Sequence, residues 1–223
     1  MKLSRNGLLA ILCMAVSLGL TSCFGDDDDD KETIHQLTKE ERAAQVREMA
    51  GNYQGWIYYG DDQTLKTDSA AIFWTVTAPD STLALNSLPV GIFKQGINDK
   101  AIREIFDTPD VVSVRAELQP YVNTSKTPGF YTYWALPKND VVEFDIFKED
   151  ATHHVKVNFA YQMDAYVNTY STSTFYSVGE YLEGKMLAYL LIKSVVVDGR
   201  EFTTGRADYF FGSKTSYFRE QEQ

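Results

Sequence analysis

Few residues in this chain could do chemistry. There are three histidines, His35, His153 and His154. His153 and His154 are adjacent in a segment that alternates with a period of two. On a strand their side chains would point to opposite faces, which does not suit chelation of one ion. Glu143 and Asp145 lie two apart, hence on one strand face and roughly 7 Å apart by the strand rise. That spacing falls within the range of the acid pairs that cleave glycosidic bonds. Their neighbours Val142, Phe144 and Ile146 take the opposite, apolar face, so both carboxylates are expected to look at solvent. Glu180 and Glu183 flank Tyr181-Leu182 ahead of Gly184 and read as a turn. The patterns HExxH, GxSxG, a P-loop and a Gly-rich dinucleotide fingerprint are all missing. Both cysteines, Cys13 and Cys23, fall in the first 23 residues. The rest of the chain therefore holds no thiol nucleophile, disulfide or Cys-ligated metal. No catalytic residue, metal or cofactor is expected.

Aromatics are the remaining handle, at 13% of residues with 14 Tyr, 13 Phe and 3 Trp. Tyr161, Tyr166, Tyr170, Phe175, Tyr176 and Tyr181 are interleaved with Asn168 and the run Ser171-Thr172-Ser173-Thr174. Tyr offers a flat apolar face with a polar tip, and Asn, Ser and Thr supply hydrogen bonds. Together they suit a glycan, a small amphipathic molecule or a protein partner. Tyr166, Tyr170, Tyr176, Tyr181 and Asn168 are the candidate ligand-binding residues; alternatively, alternate aromatics of this segment fill the core. Trp56, Trp74 and Trp134 each sit in the middle of a strand and are expected in the core.

The elements that would carry these residues are mostly strands. Thr38-Lys39-Glu40-Glu41 fits a capping box, and Ala43, Val46 and Met49/Ala50 follow at helical spacing, predicting a helix over 38–50. Strands are expected at 52–59, 66–77, 81–87, 111–122, 130–136, 141–147, 153–165, 173–182, 185–197 and 201–211. In the longest alternating run, Val155, Val157, Phe159, Tyr161 and Met163 share one face. Met186 to Val197 is almost continuously apolar, as for a strand covered on both faces, and Asp198-Gly199 is a strong hairpin signal. A short helix near 98–106 would be capped by Asn98. The fold class is mainly β: an antiparallel β-barrel or a β-sandwich with a short N-terminal helix. The alternative is an α+β arrangement with one helix packed on an antiparallel sheet.

The N-terminus reads as an address. Lys2 and Arg5 precede Leu8–Leu20, a stretch too short to span a bilayer and suited to a signal-peptide core. Leu20-Thr21-Ser22-Cys23 follows. It resembles the bacterial lipobox, which implies lipidation of Cys23 and a mature chain that starts there. Next comes Asp26 to Asp30, five adjacent carboxylates that repel one another and read as a solvated tether. Residues 24–36 could reach roughly 40 Å. An acidic run in this place resembles the surface-export signal of lipoproteins from Bacteroidetes-type bacteria. The expected organisation is 1–22 signal peptide, 23–36 lipidated Cys and tether, and 37–223 a single β-rich domain.

The order of lipobox, acidic tether, short helix and Gly51-Asn52-Tyr53-Gln54-Gly55 at the first strand resembles Bacteroidetes lipoproteins of about 200 residues. These belong to domain-of-unknown-function families, several of them lipocalin-like or calycin-like, and the resemblance transfers no functional residue. The full 223-residue chain carries 21 Lys+Arg against 31 Asp+Glu, a net charge of −10 that argues against general nucleic-acid binding. Together these features imply a lipid-anchored binding module of the cell envelope, held at the outer membrane by Cys23 and exposed at the cell surface. The alternatives are a structural or accessory subunit of an envelope protein complex, and a glycan-active hydrolase.

Overall fold

A computed structural model describes residues 37–61, 66–121, 127–168 and 171–215. Cys23, the leader and the acidic run lie outside the described residues. The first described element is α1 (Lys39–Met49), with Thr38 at its N-cap. Glu41 N donates to Thr38 Oγ1 and Thr38 N donates to Glu41 Oε2, the reciprocal pair that the spacing predicts.

Twelve strands follow: β1 (Gly51–Asp61), β2 (Lys66–Thr77), β3 (Thr82–Pro89), β4 (Val111–Tyr121), β5 (Tyr131–Pro137) and β6 (Val141–Phe147), then β7 (Thr152–Ala160), β8 (Gln162–Asn168), β9 (Ser171–Tyr176), β10 (Val178–Leu182), β11 (Lys185–Val197) and β12 (Arg200–Lys214). Between β3 and β4 run a 3-10 turn (Val90–Lys94) and a short helix, α2 (Lys100–Ile105). Asp99 caps α2, accepting from Ala101 N and Ile102 N. The cap thus falls one residue later than the expected Asn98.

Eight strands close into an antiparallel barrel, so the sandwich and α+β alternatives are not adopted. Around the barrel the order is β10-β5-β4-β3-β2-β1-β12-β11, and β10 pairs with β11 to shut the ring. The connectivity is an up-and-down meander with β6–β9 inserted between β5 and β10. A barrel removes free sheet edges, which a long antiparallel sheet must otherwise protect.

The inserted strands depend on β11. Its first half pairs with β10 and its second half with β7. A bulge at Lys193 lies within the β7-paired half, two residues after that pairing starts at Leu191. Before it, Met186, Ala188, Leu190 and Ile192 belong to the core; after it, Val195 and Val197 do. One extra residue has switched the parity. Across the bulge β12 carries Gly205 at φ 49°, a backbone that suits glycine. Leu191 is buried too, on the opposite face, where the β8–β9 hairpin lies against β11 and β12.

Two expected strands are each broken. The run 153–165 divides at Tyr161 and the run 173–182 at Ser177. Ser177 N donates to Tyr161 O at 2.8 Å, and Ala135 N donates to Ser177 O at 2.7 Å. These two bonds tie the base of the β8–β9 hairpin to β5. Alternation fails at the break: Val155, Val157 and Phe159 are buried, but Tyr161 is 61% exposed.

The barrel interior is packed with side chains. Tyr53, Trp74, Tyr133 and Phe210 fill its centre, each under 3% exposed, with Trp74 stacked on Tyr53 at 5.4 Å and edge-on to Phe210 at 5.1 Å. The α1 end is fastened through helix carbonyls that have no partner inside the helix. Tyr53 OH donates to Met49 O, while Tyr181 OH and Lys214 Nζ donate to Glu48 O. Tyr131 OH donates to the Glu48 carboxylate, which raises that phenol to about 12.

At the far end the 3-10 turn and α2 form a cover. Val90, Ile92, Phe93, Ile97 and Phe106 are buried there, and Phe93 meets Phe144 and Phe159 of the inserted hairpin. Arg206, inside the barrel, donates through Nη1 to Gln95 O at 2.5 Å and through Nη2 to Ile92 O at 2.7 Å. Its Nε–H is shared by both oxygens of Asp208, at 3.1 and 3.0 Å.

Candidate functional site

With the barrel interior filled by side chains, room for a ligand lies on the outer face. The best candidate is a groove of about 490 Å³ on the outer face. Strand parity builds its floor. On β5, Tyr133 and Ala135 point inward, so Trp134 and Leu136 point out. Gln119 of β4 sits directly opposite Trp134. Pro137 and Asp140 extend the floor into the turn before β6, and the hairpin base supplies Tyr161, Gln162 and Tyr176 as a wall. Gln162 and Tyr176 are paired across β8 and β9. Trp134 meets the edge of Tyr176 at 5.6 Å and 73°, and leans on Tyr121 at 5.3 Å.

The chemistry is aromatic faces ringed by acceptors. None of the described lining residues is cationic. Asp140 offers a carboxylate, and one N–H of Gln119 is taken by Glu117 at 2.9 Å, leaving its carbonyl oxygen for an incoming donor. Beside the groove, Glu180 of β10 lies opposite Thr132, which itself lies opposite Tyr121. Burial raises the Glu180 carboxyl above the ordinary range.

Of the residues singled out from sequence, Tyr176 lines the groove. Tyr181 does not: it is 4% exposed, faces the core and stacks on Tyr131 at 5.8 Å. It sits five residues beyond Tyr176, on the other side of the Ser177 break, with inward parity. Tyr166 lies opposite Thr172 and Asn168 opposite Ser171 on the β8–β9 hairpin, and their side chains are outside the description. Tyr170 lies outside the described residues. Trp134 was expected in the core and is half-buried at the groove. Trp56, also expected in the core, is 50% exposed because β1 turns Tyr53 and Ile57 inward and Trp56 out. Only Trp74 of the three is fully interior.

The other candidates are surface pairs. Glu143 bonds Lys156 at 2.7 Å and Asp145 bonds His154 Nδ1 at 2.6 Å, all four well exposed. His153 Nδ1 bonds Asp198 at 2.7 Å on the other side of the strand. No cluster among the described residues could hold a metal ion. Hydrogen bonds from Thr77 and Thr82 hold the Asp80 carboxyl down to about 2. The bond from His153 and the Lys94 ammonium likewise hold Asp198 and Asp107 low. Depressed carboxyls stabilise the fold above their unfolded value near 4, and that contribution is lost as pH falls through the folded value. Thermal melts should therefore drop between about pH 4 and pH 2. Asp80→Asn should shrink that drop, with wild type and variant converging at the acid end.

Strand parity and the hairpin base thus define a class: an eight-stranded meander barrel with a packed interior and an aromatic groove on its outer face. Within that class the chain belongs to DUF4840, a domain-of-unknown-function family whose model matches residues 48–195. The match runs from the last turn of α1 into β11 and includes every groove-lining residue named above. No curated protein and no solved structure matches the chain.

Proposed function

We propose that this protein is a lipid-anchored binding module of a Bacteroidetes-type cell envelope whose outer-face groove takes a ligand. The observation that carries the reading is the open groove walled by Trp134, Tyr161 and Tyr176 and edged by Gln119, Asp140 and Gln162. Apolar rings with a few convergent polar tips are the usual makeup of a small-molecule site. The anchor rests on Leu20-Thr21-Ser22-Cys23 after its apolar leader, and surface exposure on the acidic run that follows. Several acyl chains on one cysteine hold a domain firmly at a membrane.

Both halves are testable. Intact-mass analysis of protein from the native cells should find Cys23 as an acylated first residue, and Cys23→Ala should release the protein from the membrane fraction. The neutral apolar dye Nile red should bind the Cys23→Ala chain released from the membrane, in detergent-free buffer, and adding Trp134→Ala should weaken that binding about tenfold, the loss of one large aromatic contact. An unprocessed N-terminus defeats the anchor, and dye binding indifferent to Trp134 defeats the groove.

A second reading, an accessory subunit of an envelope complex, is favoured by a different surface. Trp56, Phe73 and Phe211 are all at least 41% exposed on adjoining strands, with Trp56 directly opposite Phe211. Cross-linking in intact cells that captures one constant partner, lost in Trp56→Ala, would select this reading.

A further inference from the structure

Resting on the groove reading, we propose that the ligand is a neutral, hydroxyl-rich glycan lying across β4, β5 and β10 from Trp134 past Tyr121 to Glu180, and that anionic glycans are rejected. Sheet register supplies the path. Trp134 and Thr132 are successive outward residues of β5; Thr132 lies between Tyr121 of β4 and Glu180 of β10. Glu180 is therefore about 8 Å from Trp134 along the surface, from one strand spacing and two residues of rise. The Trp134–Tyr121 contact makes the intervening surface aromatic.

Glu180 lacks the company that a half-buried carboxylate usually keeps. Burial raises its carboxyl, and among the described residues neither a cation nor a hydrogen-bond donor offsets that. No ion pair or hydrogen bond to its side chain occurs among the described residues. Its neighbours Tyr121, Tyr133 and Tyr189 feel its charge, yet the Tyr133 hydroxyl donates to Leu187 O. A carboxylate with unmet acceptor capacity beside an aromatic face suits vicinal hydroxyls, which donate to the oxygens while the ring's C–H face lies on the aromatic. Asp140 and the Gln119 carbonyl repeat that preference at the other end of the path. The same acceptors repel a carboxylate, sulfate or phosphate on the ligand, and the chain's net charge of −10 reinforces this.

The test is calorimetric titration of the full chain in detergent with gluco-, xylo- and manno-hexaoses and with a galacturonate hexamer. At least one neutral hexaose should bind and the galacturonate should not. Glu180→Gln should weaken hexaose binding about tenfold, the loss of a charge-assisted bond. It should leave binding of the matching disaccharide at Trp134 unchanged. A merely structural Glu180 would behave otherwise. Its carboxyl is raised in the fold, so its charged form opposes folding as pH rises through that raised value. Glu180→Gln should therefore raise the melting temperature at pH 7 while binding falls. Galacturonate binding, or no binding by any neutral hexaose, overturns the proposal, as does a Glu180→Gln variant with unchanged hexaose affinity. If hexaoses fail but Nile red still depends on Trp134, the groove reading survives alone. If a hexaose binds independently of Trp134, both readings fall.

Discussion

Replacement of Arg206 by Met should cost about 3–5 kcal/mol of stability, the range for removing one partner of a buried ion pair. Arg206 and Asp208 have side chains only 6% and 1% exposed. The change takes the guanidinium from Asp208 and strips two donors from the carbonyls of Ile92 and Gln95. The damage should be local first. Amides of 90–97 should exchange with solvent faster than those of β1 or β2, because the cover is held to β12 through this side chain. Arg206→Met combined with Asp208→Leu should recover much of the loss, since a well-packed apolar pair can replace a buried ion pair at little penalty. Urea melts of both single variants and the double variant check this. A single-variant loss below about 1 kcal/mol would show that the cover stands without its clamp.

Gly55→Ala should be as severe for a different reason. Gly55 lies directly opposite Gly212 on the seam between β1 and β12. A Cβ at Gly55 would fall 2.1 Å from Phe211 O and 2.6 Å from Gly212 Cα. Those atoms are backbone and cannot rotate away. A Cβ at Gly212 would meet Gln54 O at 2.3 Å and the Trp74 indole at 2.5 Å. The two glycines thus make room for the aromatic centre of the barrel. The expected loss is about 3 kcal/mol or more, at or beyond the upper end for overpacking a core. Trp56→Ala, one residue away but exposed, should shift stability by no more than about 0.5 kcal/mol. Comparable losses in the two would mean that the seam is looser than its geometry.

Much of the fold was legible because the local rules act through neighbours in sequence. Thr38 and Glu41 mark a helix start through side chains three residues apart, and Asp198-Gly199 marks a turn through its own backbone. Alternation in Val155–Phe159 marks a half-buried strand. The breaks at Tyr161 and Ser177 carry no such mark. The alternating pattern runs on through Tyr161, and only the meeting of Ser177 with β5 shows that the chain has left the sheet. No local pattern marks Arg206 and Asp208 as interior; they are buried because the ring closes around them. The groove was visible only in part. Tyr176 belongs to an aromatic-rich segment, but Trp134, Gln119 and Asp140 come from β5, β4 and the turn before β6. No spacing rule joins them, because sheet register brings them together. Tyr181 shared composition with Tyr176 and differs from it by parity across the break.

The seam between β1 and β12 joins the first strand to the last. Tyr53 pairs with Lys214, and Gly55 with Gly212, across almost the whole domain. Such distant pairing makes folding slow, because a long loop must close before the contacts reward it. It also sets an order of events during synthesis. While residues 200–214 remain inside the ribosome the ring has no final stave, and β1 keeps an unpaired edge. The β1–β12 seam thus places closure of the barrel after synthesis of its last strand, whatever order the staves between them take.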